Sequence, residues 1–439
     1  MMAKANRSKK IISALLVILS LASIFSFAYR NHSSFYETPI DFLIFIHAGD
    51  NFKTTGQLYE RADNYADKYH PSAAIYKFPP AFQLMLMPLL ELPESINAQA
   101  FMRLLLTGMY VLSLALLFFY IRHHFKLRAE QTLYFGATLT IIGCWFMPFF
   151  ESIRWLLTEI PLLLLFIVSF LLLTKNRFSS GTSGALLAYA ACAKIYPLFL
   201  FGYHLFQSFL HKKSAAIWGF IAGVIGTLAL ALYFYGIDEH AFYLKNILPV
   251  LLNEPITDKW VNLNIEKFLF VTGVIPKVTG SIFPIIRALF VGGLVLCLFS
   301  FRQPLAKKEW LVFSLFATTM FFCFPNYWPQ YQIYLIIPIA FLSATYIKNN
   351  KPFLLAVLLI SISTLFVPDL LWKTILNWDL ARQGLDIEMV GKESYLYGTN
   401  LTLLKYSPAT WLFYYLYEYR AVTPVVLWVL QVMQIRKAT

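Results

Sequence analysis

The sequence predicts an all-α integral membrane protein, a bundle of about 10–12 transmembrane helices whose outer-face loops carry short juxtamembrane helices. Three observations predict it. The 439 residues are 59% hydrophobic and 13% charged, against about 25% charged in soluble domains. Apolar runs of roughly 20 residues, enough to span a bilayer, recur along the whole chain. Basic residues gather in alternate short breaks between these runs, as the positive-inside rule requires of cytoplasmic loops.

Taken in order, the runs place spans near 11–29, 98–121, 131–150, 155–174, 214–235, 281–301, 309–325, 330–347, 352–368 and 411–433. The first follows Lys4, Arg7, Lys9 and Lys10 and resembles a secretory signal. Its length and the lack of a small-residue cleavage site before Arg30 make it an uncleaved anchor. The segment 183–210 has basic flanks on both sides, so it enters and returns as two short helices broken at Pro197. Residues 78–92, FPPAFQLMLMPLLEL, are too short to cross and open on Pro79–Pro80. Counting them as a crossing would also put Arg122, Lys126 and Arg128 outside, so a half-embedded interfacial helix is expected.

The chain then reads as one polytopic domain over 1–439, with outer loops at 30–97, 236–280 and 369–410 and both termini cytoplasmic. Of the 23 acids, only Glu130 and Glu309 accompany the cytoplasmic basic clusters. The net charge of +13 therefore orients the protein and implies no nucleic acid. Cys144, Cys192, Cys297 and Cys323 lie in apolar runs and read as core residues, with neither a disulfide framework nor metal-ligand spacing.

Polar mass on one face of a bundle puts the working site on that face. Asp41, just past the first span in PIDFLIFIHAGDNFKTTGQLY, reads either as an N-cap of a helix starting at Phe42 or as a general base. Lys77 and Arg103 lie near the same surface, as snorkelling cations or as ligands of a phosphate. Lys194, in AACAKIYPLFLF, is the most unusual cation. Unpaired in hydrocarbon it would cost about 2.5–3.5 kcal/mol on insertion scales, so it pairs or faces water. The residues favour a functional ammonium over a structural ion pair. In DKWVNLNIEKFL, Asn262 and Asn264 could bind sugar hydroxyls beside Trp260, or simply open an amphipathic helix. In FPNYWPQYQIYLIIP, Trp328, Tyr331 and Tyr334 match an interfacial aromatic belt, whereas Gln330 and Gln332 do not.

These segments, in the order DFLIFIHAGDNFKTTGQLY, YKFPPAFQLMLMPLLELP, AKIYP, WVNLNIEKF and FPNYWPQYQIYLIIP, resemble the polyprenyl-phosphate-mannose-dependent mannosyltransferases of glycosyltransferase family 87, in the GT-C superfamily. The resemblance implies a GT-C-type bundle with a catalytic base at Asp41. It also implies a polyprenyl-phosphate sugar donor, inverting transfer of a hexose to a lipid or glycan acceptor hydroxyl, and a donor phosphate held by Lys194 with Lys77 and Arg103. Asn262, Asn264, Trp328, Gln330 and Tyr331 would line the sugar and acceptor cleft. The chain departs from the family pattern at Asn262-Leu263-Asn264 and lacks its Trp-x-His-Tyr element. No Asp-x-Asp pair follows Asp41, so no tight metal site and no cofactor is expected, with room left for a loosely bound divalent cation. The site would face the outer, periplasmic side of a bacterial inner membrane. The competing class is a lipid-linked-sugar flippase or transporter. It predicts related halves with paired broken helices, and no repeat is visible.

Overall fold

The computed structural model describes residues 2–33, 39–61, 75–93, 95–173, 176–211, 214–253, 262–306, 308–366 and 418–436, with a few isolated positions between 374 and 416. The described chain is mainly helical, with no strand among these residues. Among them, five helices are long and apolar enough to cross a membrane, and a sixth crossing arises if a pair bent by 41° is one span.

In order, these elements are α1 (Met2–Ser33), α2 (Ile40–Thr55), α3 (Pro80–Gln83), α4 (Met87–Leu90) and α5 (Ala98–Phe125). Next come α6 (Ala129–Trp145), α7 (Met147–Trp155), α8 (Glu159–Leu173), α9 (Arg177–Ala193), α10 (Leu198–His211) and α11 (Ala215–Phe242). After these run α12 (Ile265–Val271), α13 (Phe283–Ser300), α14 (Arg302–Ala306), α15 (Glu309–Thr319), α16 (Ile336–Lys348), α17 (Pro352–Ile362) and α18 (Thr423–Arg436). The bent pair is α6 and α7, where one span was expected over 131–150. Helices α8, α15, α17 and α18 coincide with expected spans but fall in shorter apolar helices.

The chain divides into two compact units. One comprises residues 29–120 and 149–254. Its frame is the packing of α9 on α11, which the sequence makes possible by stripping both faces of side chains. A Cβ on Gly184 would strike the backbone of Ala216 and Phe220, and one on Gly219 would strike Gly181. Small residues let membrane helices approach this closely, where dispersion replaces the hydrophobic effect as the driving force. The expected re-entry over 183–210 is present: α9 ends at Ala193 and α10 starts at Leu198, with Pro197 in the break. Helix α11 departs from helical dihedrals at Gly236 (φ 72°, ψ 168°) and runs on through a π-helical turn, Tyr243–Ile247, to Leu252. The outer segment expected from 236 onward therefore begins as helix.

The segment 78–92 is not one interfacial helix. It forms two single turns, α3 and α4, separated at 84–86. Gly49 of α2 lets the chain close on them, since a Cβ there would meet Gln83 Nε2 at 2.6 Å and the Leu90 side chain. The aromatic cluster of Tyr59, Tyr76, Phe242 and Tyr243 ties the segment after α2 to α11, with Tyr59 fully buried. Glu239 anchors the same segment, accepting from the Leu58 backbone N–H at 2.9 Å and pairing with Arg61, which also lies 3.6 Å from the Phe242 ring centre.

The other unit comprises residues 1–28, 121–148 and 255–439. Its centre is α16, whose residues Ile336 to Ile347 are all buried, with α15, α17, α18 and α6 around it. The outer segment 369–410 falls almost wholly outside the described residues, as does Trp260.

Candidate functional site

Asp41 lies in the first turn of α2, which begins at Ile40 after Pro39. The helix starts two residues before the expected Phe42, and with that the capping role of Asp41 falls: no side chain caps this helix. A carboxylate at this end still favours the helix dipole. Asp41 is half-buried and forms no hydrogen bond or ion pair among the described residues.

What surrounds Asp41 follows from Phe45, one turn further along α2. The Phe45 ring meets Phe78 and Phe82 edge-on at 5.3 and 5.0 Å, and those two rings stack on each other at 4.4 Å. Gln83 is buried and donates from Nε2 to the Phe45 carbonyl at 3.0 Å. The Lys194 ammonium lies 5.1 Å from the Phe78 ring centre and 5.7 Å from that of Phe82, within cation–π range. One aromatic block thus joins α2, the YKFPPAFQ segment and the break between α9 and α10.

Lys194 is buried, and its Nζ donates to Glu159 Oε1 at 2.5 Å. The sequence reading preferred a functional ammonium to an ion pair; the structure gives the ammonium a carboxylate partner. Lys194 is the residue that caps α9 at its C-terminal end. Glu159 opens α8, is fully buried, and was missed in the sequence. A signal was present, since Glu159 is an acid at the head of the apolar run EIPLLLLFIVSFLLL. The insertion cost that singles out Lys194 applies to it equally.

Lys77 is half-buried. Asp41, Lys77, Lys194 and Glu159 form one electrostatic group: burial raises the Asp41 carboxyl above its ordinary value, the Glu159 charge raises it further, and Lys194 and Lys77 oppose both. The result is a carboxylate with enhanced proton affinity beside two cations, the combination a base acting next to an anionic leaving group needs. Arg103 is fully buried and donates from Nη1 to the Ile153 carbonyl at 3.2 Å, fastening α5 to α7.

The remaining expected residues belong to the other unit, where two of the sequence segments meet. Asn262 donates from Nδ2 to Asn326 Oδ1 at 2.7 Å and accepts from the Tyr327 N–H at 3.2 Å, while the Leu263 N–H donates to the Tyr327 carbonyl at 3.0 Å. Asn264 caps α12, accepting from the Glu266 N–H at 2.7 Å, and its amide donates to the Pro325 carbonyl. Both asparagines are buried. Their amides pin 262–264 to 325–327, and Asn264 opens α12 as its cap. Trp328, Gln330 and Tyr331 are half-buried; Trp328 precedes, and the other two lie within, the 3₁₀ turn Pro329–Leu335 that opens α16. Two further groups escaped the sequence reading. Lys267 pairs with Glu418 in full burial, and Glu266 accepts backbone N–H groups from Thr279, Gly280 and Phe283.

The fold defines a class, the all-α integral membrane proteins, and comparison with known families names the member. Residues 76–325, more than half of the chain, match glycosyltransferase family 87. The chain belongs to that family, and it is a membrane glycosyltransferase. The matched stretch contains Lys77, Arg103, Glu159, Lys194, Asn262 and Asn264; Asp41 precedes it and Trp328 follows it. No curated protein and no solved structure matches the chain.

Proposed function

We propose that this glycosyltransferase moves a hexose, mannose, from a polyprenyl-phosphate donor to the hydroxyl of a lipid or glycan acceptor, at the outer face of a bacterial inner membrane. The acceptor oxygen bonds to the anomeric carbon from the face opposite the phosphate, and the bond from that carbon to the phosphate oxygen breaks. Its electron pair stays on the leaving lipid phosphate, the acceptor proton goes to Asp41, and the anomeric configuration inverts. Lys77 and Lys194 balance the charge that develops on the phosphate. Arg103, committed to the Ile153 carbonyl, holds α5 in place.

The observation that carries this reading is Asp41 itself: a half-buried carboxylate without a hydrogen bond among the described residues, its proton affinity raised, within electrostatic reach of two lysines. The positive-inside pattern supports the outer face, since α2 follows the first span, whose leading end is basic.

The test is transfer of labelled mannose from synthetic polyprenyl-phosphate mannose by the purified protein, with extracted host lipids and glycans as acceptors. The wild type is expected to transfer, and a folded Asp41→Asn variant to lose about 10²–10⁴-fold in rate. An undiminished Asp41→Asn enzyme overturns the base assignment. A wild type inactive with every acceptor overturns the donor.

A further inference from the structure

Lys194 and Glu159 would serve equally well as a buried structural pair placed anywhere between helices, yet they sit where two other charges converge. The charged groups acting on Asp41 are Glu159 at the head of α8, Lys194 at the α9–α10 break and Lys77 in the segment leading to α3. Each reaches it from a different stretch of chain. The pair is almost fully enclosed, with 5% of the lysine side chain and 1% of the glutamate exposed. Only one carboxylate oxygen is used: Glu159 Oε1 takes the ammonium, while Oε2 is buried with no hydrogen-bond partner. A buried carboxylate normally satisfies both oxygens, and leaving one bare carries a desolvation cost. Among the described residues the Lys267–Glu418 pair also leaves one carboxylate oxygen bare, so what distinguishes Lys194 and Glu159 is their place: the ammonium lies against the Phe78 and Phe82 rings that Phe45 of α2 meets, and both charges act on Asp41.

We infer that Glu159 is a positioning residue of the transferase site, fixing the Lys194 ammonium against the Phe78–Phe82 rings and holding a second negative charge beside Asp41. The inference rests on the base reading of Asp41 and deepens it. Glu159 has two effects. Through Lys194 it sets where a cation can meet an anionic group of the donor. Through its own charge it offsets the two lysines, which would otherwise draw the proton affinity of Asp41 down. The site must be cationic enough to hold a phosphate and still keep a competent base, and Glu159 reconciles these demands.

Profiles of kcat/KM and kcat against pH, with labelled polyprenyl-phosphate mannose as donor, test this on the full-length purified protein. In Glu159→Gln the acid limb is expected to move down by about one pH unit, because a negative neighbour is lost and Lys194 loses its counter-charge. The donor KM is expected to fall while kcat drops about tenfold or more. Glu159→Asp keeps the charge but draws the ammonium back. Its limb is expected to stay in place while kcat drops by up to about 10²-fold, the scale of consequence of a misplacement of about 1 Å. This second variant also carries the test where the lone Lys194 charge in Glu159→Gln prevents folding.

A merely structural pair would lower the melting temperature of both variants and leave limb, KM and kcat of the folded fraction unchanged; that result overturns the inference. An inactive Asp41→Asn enzyme together with an unmoved limb in Glu159→Gln overturns the inference alone. An Asp41→Asn enzyme that keeps its activity overturns the base reading and this inference with it.

Discussion

Lys267 Nζ meets Glu418 Oε1 at 2.7 Å with neither side chain exposed, across 151 residues of sequence. The same ammonium donates to the Asn262 carbonyl at 3.1 Å, so one buried cation joins the helix-opening segment at 262–264 to the chain just before α18. A buried pair contributes little against a well-packed apolar replacement, because desolvation offsets the Coulombic gain, but removing one partner strands the other.

Lys267→Met is therefore expected to destabilise the protein by about 3–5 kcal/mol, and Lys267→Met/Glu418→Leu by clearly less than the sum of the single changes. Thermal unfolding in detergent of the two single variants and the double variant measures this. Additive effects would show that the charges do not depend on each other.

The contact of α9 with α11 is made by backbones. Gly219→Ala places a methyl group against Gly181, where backbone and not a flexible side chain must yield. Overpacking of this kind costs about 1–3 kcal/mol. Gly226 lies on the same helix with nothing within 4 Å of an added Cβ, so Gly226→Ala should be neutral or gain up to about 1 kcal/mol in helix propensity. Melting temperatures of the two variants check the contrast. A harmless Gly219→Ala would mean that the helices do not touch there.

The fold was legible where its signals are local. Each expected span reappears as helix over described residues, because an apolar run between basic flanks needs no partner to be recognised, and Pro197 marks the α9–α10 break by its missing N–H. The glycines of α9 and α11 are also visible in sequence, but nothing local says which helix faces which. The site was legible in its outward residues, Asp41, Lys77 and Lys194, and not in their partners. Glu159 lies 35 residues from Lys194, and Glu239 lies 178 residues from Arg61; neither spacing is a pattern. The amides of Asn262 and Asn264 show the same limit, since nothing local in the sequence says that they bond the segment at 325–327.

Glu239 holds the segment after α2 to α11 through two hydrogen bonds, one to a backbone N–H and one to Arg61. Glu239→Ala removes both acceptors and leaves the Leu58 N–H without a partner. The expected result is faster amide hydrogen exchange across residues 56–61 with exchange in α9 unchanged. Exchange that accelerates equally in both places would mean that Glu239 supports the whole unit rather than this segment.

Asp41 ties function to stability in opposite directions. Burial raises its carboxyl above the unfolded value, Glu159 adds to the rise, and Lys194 and Lys77 subtract from it. The folded state therefore binds this proton more tightly than the unfolded chain does. Stability falls as pH climbs from the unfolded pKa, about 3.9, through the raised folded value, because the unfolded state binds fewer protons across that window. Above it the ionised carboxylate is a constant penalty, and below it the penalty vanishes. Asp41→Asn, neutral at every pH, is expected to melt higher than the wild type at pH 7 and to lose that advantage as the pH falls below about 4. Melting curves of both proteins across this range measure the gap. A variant that melts lower than the wild type at pH 7 would place Asp41 in the framework of the fold. A higher melting temperature joined to lost transfer would mark a carboxylate kept for chemistry at the expense of stability.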